Sequence, residues 1–320
     1  MGNKSAKKSG RKSAHKSDSK ATAKAASTAA AHAADKAASA ALVAVGDTFS
    51  VQPIQVDLMA ISTEQAKVGP ADKDEAASMM ADLGERLASL QERLFAQSTA
   101  GDPRAVLLVL QGMDTAGKDG VIKAVGGLLN LGGMRLASFK KPTSEELAHD
   151  FLWRIEKALP AAGAIGIFNR SHYEDVLIAR VHNLVPEEVW SQRYDTINEF
   201  EARLTNLGTT VVKCFLHVSK EVQKERLAAR LDDPTKFWKF NPADIDERGY
   251  WNDYQQAYAA ALTKCSTANA PWHVIPADHK WYRNWAVAAV LTEALEKIDP
   301  QYPPADFDVE EQKQRLASEV

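Results

Sequence analysis

The sequence has little cysteine and no long apolar stretch. Cys214 and Cys265 are its only cysteines, which excludes a disulfide scaffold and suits a reducing compartment such as the cytoplasm. No uninterrupted apolar run approaches the length of a membrane span, so a transmembrane protein is not expected. Neither a CxxC nor an HxxxH spacing marks a structural zinc site. Glycine and proline, at 17 and 13 of 320 residues, are too few for a collagen-like or low-complexity chain. What is left is ordinary globular composition, 45% hydrophobic and 25% charged, and long enough for one large or two ordinary domains.

Charge is unevenly spread. Residues 1–46 hold nine basic residues against Asp18 and Asp35, a balance of +7, while the rest holds 30 basic against 40 acidic residues. An acidic body therefore carries a basic leader. The leader opens MGNKSAKKSGRKSAHKSDSK, turns Ala-rich, and has almost no large apolar side chains. It is expected to be disordered, because it buries too little to offset the entropy of ordering; Ala propensity favours transient helix over residues 21–42. Ala6 stands where a myristoylation signal needs Ser or Thr. The apolar AALVAV is too short and too late for a secretory signal. Three readings stay open: an arm for polyanions (nucleic acid, anionic lipid or polyphosphate), a solvated tail, or a transit peptide.

Folded structure is expected over residues 47–299, with an acidic, Pro-containing tail at 300–320. From Asp72 to about Gln97, Met79, Met80, Leu83, Leu87, Leu90 and Leu94 recur at spacings of three and four, an amphipathic helix. Strands are expected at Arg104–Leu110, near Arg135–Phe139, and at Ala164–Phe168, Thr210–Val218 and Trp272–Ile275. Helices are expected across Ser144–Leu159, His172–Arg180, Pro186–Leu207, onward from the fourth strand through Arg230, and at Tyr250–Lys264 and Trp281–Ile298. Strands alternating with helices predict an α/β fold, a three-layer αβα sandwich around a parallel sheet.

Directly after the first strand comes Gly112-Met-Asp-Thr-Ala-Gly-Lys118, then Asp119 and Gly120. This is a P-loop core in the strand–loop–helix context that the motif requires. Glycines let the backbone curl so that amide N–H groups point at phosphate oxygens, and the following helix N-terminus adds a favourable field. Gly112, Thr115, Ala116, Gly117, Asp119 and Gly120 are thus candidates for phosphate binding, and Lys118 for the charge on the transferring group. A nucleotide triphosphatase has Ser or Thr after the lysine to hold Mg²⁺. Asp119 takes that place, and Asp114 adds a carboxylate inside the loop. Carboxylates beside phosphate repel it unless metal lies between them, so Asp114, Asn169, Glu174 and Asp175 are candidate metal ligands. Asn169 ends the third strand where a Walker B strand would place Asp, and Arg170 beside it should face the loop with donors suited to phosphate.

More cations follow. Arg226 and Arg230 share a helix face, and the segment through Lys236, Lys239, Asp244 and Arg248 reads as a lid over about 226–250. Lys140, Lys141 and Arg154 are weaker candidates for a cationic channel. His149, His172 and His182 are read as structural or surface residues, and no covalent intermediate is needed.

Together GMDTAGKDG, PTSEELAHDFLWRIEKALP, FNRSHYEDV and RLAARLDDPTKFWK resemble the polyphosphate kinase 2 family, in order, from about residue 50 to 297. The resemblance implies a P-loop kinase fold with a helical lid, and Mg²⁺-dependent (or Mn²⁺-dependent), reversible phosphoryl transfer between inorganic polyphosphate and ADP, AMP or GDP. It puts Asp114, Lys118 and Arg170 on catalytic positions and Arg226, Arg230, Lys236 and Lys239 on the lid. It also implies a homo-oligomer, a dimer or tetramer. Asp119 and Asn169 depart from the family's more frequent Gly and Asp. The HYEDV wording is similar to the subgroup acting on mono- and diphosphates. Two rivals remain: an ATP-dependent nucleoside monophosphate kinase, which Asp119 argues against, and a polyanion-binding protein with an inactive P-loop, which the intact Lys118 and Arg170 argue against.

Overall fold

A computed structural model of the protein describes residues 45–52 and 55–319. Residues 1–44 of the basic leader, including the transient helix expected over 21–42, lie outside the described residues, and Val45 and Gly46 at its end are buried. Five strands, β1 (Ala105–Gly112), β2 (Met134–Ser138), β3 (Ile165–Asn169), β4 (Thr209–His217) and β5 (Trp272–Pro276), form one sheet in the order β2-β3-β1-β4-β5. All four pairings are parallel, with Leu108 at the centre opposite both Ile167 and Val212. The run AVLLVLQG of β1 is buried at every position. A strand covered on both faces needs such a continuous apolar run, whereas a half-exposed strand would alternate. The edge strand β2, MRLAS, is accordingly half-exposed.

The longer helices are α1 (Lys73–Thr99), α2 (Lys118–Gly126), α3 (Arg193–Asn206), α4 (Lys220–Leu231), α5 (Trp251–Cys265), α6 (Lys280–Ile298) and α7 (Val309–Ser318). The Asp72 side chain starts α1 by accepting from the amides of Asp74 and Glu75, which satisfies two of the donors that a helix start leaves free. Leu83, Leu87, Leu90 and Leu94 of α1 are buried, with Met79 and Met80 half-buried at the end of the same stripe. Each buried leucine contributes about 1.5–3 kcal/mol from area removed from water. That stripe packs on α6, which also touches α2, β4 and β5 and so is buried almost all round from Trp285 to Thr292. On the other side α3 packs on β4 and α5 on α3. The expected α/β sandwich is thereby found, and no helix among the described residues is long and apolar enough to cross a membrane.

Three expected helices are broken in the structure. Ser144–Leu159 becomes the single turns Ser144–Leu147 and Trp153–Glu156. The Thr143–Glu146 capping box starts the first, and the Asp150 side chain accepts from the Leu152 amide, which turns the backbone between them. His172–Arg180 becomes a 3₁₀ turn, His172–Val176, capped by Ser171, then the turn Ile178–Val181. Pro186–Leu207 is interrupted at Ser191 and Gln192, before α3. The lid segment is likewise made of short pieces. After α4 come a 3₁₀ turn, Pro234–Lys239, capped by Asp233, and the short helix Ala243–Glu247 after Pro242. The acidic tail carries α7, capped by Asp308.

Parallel strands end together. The C-terminal ends of β1, β3, β4 and β5 therefore bring Gly112, Asn169, His217 and Pro276 to one edge of the sheet, the edge at which open α/β sheets present their ligand sites.

Candidate active site

A cavity of about 420 Å³ opens at that edge. The P-loop lines it with Asp114, Thr115, Gly117, Lys118, Asp119 and Gly120, and the end of β3 adds Asn169 and Arg170. α4 contributes Arg226 and Arg230, the lid Lys236 and Lys239, and the first turn of α6 Lys280 and Arg283.

The loop is held from behind by its carbonyls. Gln223 donates to Asp114 O (3.1 Å), and Arg226 to Thr115 O (3.0 Å) and to Ala277 O and Asp278 O beyond β5 (2.6 and 2.8 Å). Arg283 donates to Ala116 O at 3.0 Å. Carbonyls tied outward leave the loop amides available to phosphate, the arrangement of an anion-binding nest. Gly117 caps α2 at φ 103°, and a Cβ there would collide with the Arg283 guanidinium. Thr115 and Arg170 also sit in the left-handed region, at φ 60° and 64°. Non-glycine residues rarely take that conformation, and such strain concentrates at functional sites.

Lys118 is 9% exposed, and its ammonium donates to Gly112 O (2.6 Å) and Met113 O (3.3 Å). Burial and the nearby Arg170 guanidinium pull it down to about 8. Arg170 is pushed upward, because the Glu174 and Asp114 carboxylates hold its charge at 3.0 and 2.9 Å. The Asn169 amide donates to Asp119 Oδ1 at 2.8 Å, which joins the P-loop helix to the end of β3. Arg230 is tied to the lid through Asp244 Oδ2 (3.2 Å) and Lys239 O (2.8 Å).

Not every candidate reaches the cavity. Gly112 and Ala116 serve through their carbonyls, which accept from Lys118 and Arg283. Glu174 lies behind Arg170, beside Tyr254 and Tyr258. Asp175 is turned away toward Arg193 (3.1 Å) and Arg154 (3.9 Å). Arg154 in turn donates to Lys140 O and lies over the Phe139 ring, so it is spent on the local fold. Lys140 and Lys141 are exposed outside the lining. His172 is buried against Glu201, His182 meets Glu247 of the lid segment at 3.0 Å, and His149 stacks on Trp153.

The polyphosphate kinase 2 family model matches residues 70–303. The chain belongs to the polyphosphate kinase 2 family. It is 48% identical over 256 residues to an AMP/ADP-polyphosphate phosphotransferase of Meiothermus ruber, covering 80% of this chain and 94% of that one. An ADP-polyphosphate phosphotransferase of Rhodopseudomonas palustris is 45% identical over 231 residues, or 68% and 78% of the two chains. The crystal structure of polyphosphate kinase 2 from Arthrobacter aurescens TC1 superposes with a TM-score of 0.84 at 46% identity, covering 86% of this chain and 97% of that one.

Two cations that line the cavity of this polyphosphate kinase 2 chain, Lys280 and Arg283, lie outside the sequence motifs named above, whereas the small Ala229 of the lining falls within RLAARLDDPTKFWK. A signal was present. They stand three apart at the start of the helix that follows the last strand, the place where a parallel sheet delivers side chains to its ligand edge.

Proposed function

We propose that the protein moves a phosphoryl group between inorganic polyphosphate and AMP or ADP, with GDP as a further acceptor. The observation that carries this reading is the lining itself. Lys118, Arg170, Arg226, Arg230, Lys236, Lys239, Lys280 and Arg283 face one cavity in which, among the described residues, Asp114 and Asp119 are the carboxylates. The excess of cations suits two phosphate-bearing substrates brought together. An oxygen of the nucleotide's last phosphate attacks the terminal phosphorus of the chain, a new P–O bond forms, and the bond to the next bridging oxygen breaks. The polyphosphate leaves one unit shorter, and the reverse step lengthens it. Lys118 and Arg170 offset the charge on the oxygens of the group in flight, and the lid cations exclude water as they close.

The donor set fits a hard divalent cation. Asp114 and Asp119 present carboxylates, and the described residues contain no cluster of three His, Cys, Asp or Glu side chains that could cage a metal alone. Mg²⁺ is held that way in phosphoryl-transfer sites, by one or two carboxylates with phosphate oxygens and water; Mn²⁺ would suit the same oxygens. Bound there, it would neutralise phosphate charge beside Asp114 and Asp119. The HYEDV segment and the mono- and diphosphate activity in the name of the Meiothermus ruber relative support AMP as well as ADP. Two free, buried cysteines support a cytoplasmic location.

The test is an endpoint assay by ion-exchange chromatography with Mg²⁺, polyphosphate, and AMP, ADP or GDP separately. ADP plus ATP from AMP, and ATP from ADP, are expected. Product from the diphosphates alone would narrow the acceptor. Product only when ATP replaces polyphosphate would overturn the reading in favour of a nucleotide kinase.

A further inference from the structure

The face of α4 that looks at the phosphate loop carries Gln223 three residues before Arg226. Their side chains grip the two carbonyls that flank the Cα of Thr115. Gln223 Nε2 donates to Asp114 O at 3.1 Å, and Arg226 to Thr115 O at 3.0 Å. Thr115 sits between them at φ 60°, a conformation that persists where its surroundings over-determine it. Gln223 is held in turn from the lid segment. It is only 2% exposed, and its Oε1 accepts from Arg248 at 2.7 Å. Arg248 follows the short lid helix Ala243–Glu247 and also donates to Lys220 O at 3.0 Å. Two more contacts seat that helix. Asp244 meets Arg230 at 3.2 Å, and Glu247 meets His182 at 3.0 Å and accepts from the Tyr254 hydroxyl at 2.9 Å. Of these three anchors, the one at Arg248 leads on through Gln223 to the phosphate loop.

We propose that Gln223 and Arg248 are positioning residues for phosphoryl transfer, forming a relay that couples seating of the lid segment to the conformation of Asp114 and Thr115. The relay rests on the function proposed above for the reaction it serves. Its core is an amide with two different ends. A guanidinium has only donors, so the Gln223 oxygen faces Arg248, and the NH₂ is left for Asp114 O, which only accepts. The charge on Arg248 polarises the amide and strengthens its donation at the far end. With Arg248 withdrawn, the buried Oε1 would lose its partner, and the amide would be free to turn away from the loop. The Asp114 carbonyl would then lose its tie, and the carboxylate its fixed place against Arg170 at 2.9 Å. A seated lid segment sets the loop, and a lifted one releases it. Gln223 and Arg248 lie outside the cavity lining, so they act through the loop and not on substrate.

The experiment is a double-mutant cycle on Gln223→Met and Arg248→Met, with steady-state kinetics on polyphosphate and ADP. Hydrogen–deuterium exchange of the peptide from Gly112 to Lys118, without substrates, gives a readout independent of turnover. Each single variant should lower kcat about tenfold, the effect of one lost hydrogen bond that matters in the transition state. Both KM values should stay within about twofold. The double variant should fall little further than either single one, because both changes break the same relay. Exchange of the loop amides should quicken to a similar extent in both single variants, although Arg248 does not touch the loop. Gln223→Glu separates the relay from a merely structural anchor. It keeps an acceptor for Arg248 but has no donor for Asp114 O, so turnover should fall as in Gln223→Met with a melting temperature near wild type. Arg248→Lys, which keeps a charged donor, should restore kcat to within about threefold of wild type. Wild-type turnover in Gln223→Glu, losses that multiply in the double variant, or unchanged loop exchange in Arg248→Met overturns the relay. A wild-type protein that makes no product from polyphosphate overturns the function reading instead, and the exchange measurement then decides the relay alone.

Discussion

Lys118 and Lys213 are both buried lysines beside the central strands, and their surroundings separate binding from support. Lys213, on β4 and fully buried, spends all three ammonium donors inside the protein: Glu201 Oε2 at 2.5 Å, Cys265 O at 2.6 Å and Tyr173 OH at 2.9 Å. Glu201 is closed off in turn by Tyr173 OH and His172 Nε2 at 2.9 and 3.2 Å. Lys118 has only two carbonyls of its own loop, and it faces the cavity. A buried ammonium with its carboxylate at hand is complete. Among the described residues Lys118 has no carboxylate at hydrogen-bond distance, which leaves it poised for an anion from outside.

The largest effect should come from the closed cluster. Lys213→Ala leaves Glu201 buried without its cation, and should cost about 3–5 kcal/mol of stability, read as a lowered midpoint in urea unfolding. A midpoint near wild type would mean that the cluster is not the support its geometry suggests. Lys118→Ala should do the reverse, with folding intact and turnover lower by at least about 10²-fold, as when a group that stabilises transition-state charge is removed. Near-wild-type turnover in the folded variant would refute the role given to Lys118. The same contrast sharpens with pH. Because the ammonium is lost as pH rises through about 8 in the free enzyme, kcat/KM for polyphosphate should fall above that pH. The kcat limb should lie higher, since a bound phosphate favours the charged form. A flat kcat/KM profile up to about pH 9.5 would remove Lys118 from the binding step. The smallest effect is expected from the leader. Val45 and Phe49 are buried at 6% and 3% exposure, so the cut belongs after Ala44. That truncation should change turnover with short polyphosphate by less than about twofold, and loss of all activity would make the leader part of the enzyme.

Much of the fold was legible because local signals agreed with the global arrangement. The run from Ala105 to Leu110, the leucine stripe of α1 and the Gly112–Lys118 loop each predict their own conformation from residue type and spacing. The broken helices were not legible in the same way. Between Ser144 and Leu159 the apolar spacing continues, and the Asp150 side chain overrides it by hydrogen bonding to the backbone. The lid is built of short pieces for a similar reason, since Asp233 caps one and Pro242 precedes the next.

The site divides along the same line. Sequence alone determined that a P-loop follows the first strand and that Asp114, Lys118 and Arg170 stand near the sheet's ligand edge, because the motif and its strand–helix context are local. Tertiary structure alone decided which cations are neutralised. Arg170 meets Asp114 across 56 positions of sequence, and Arg283 meets Ala116 across 167. It also brought Lys280 and Arg283 to the loop and turned Asp175 toward Arg193 and Arg154. Coulomb and hydrogen-bond energies fall off with distance in space, and distance along the chain says nothing of it until the strands have paired.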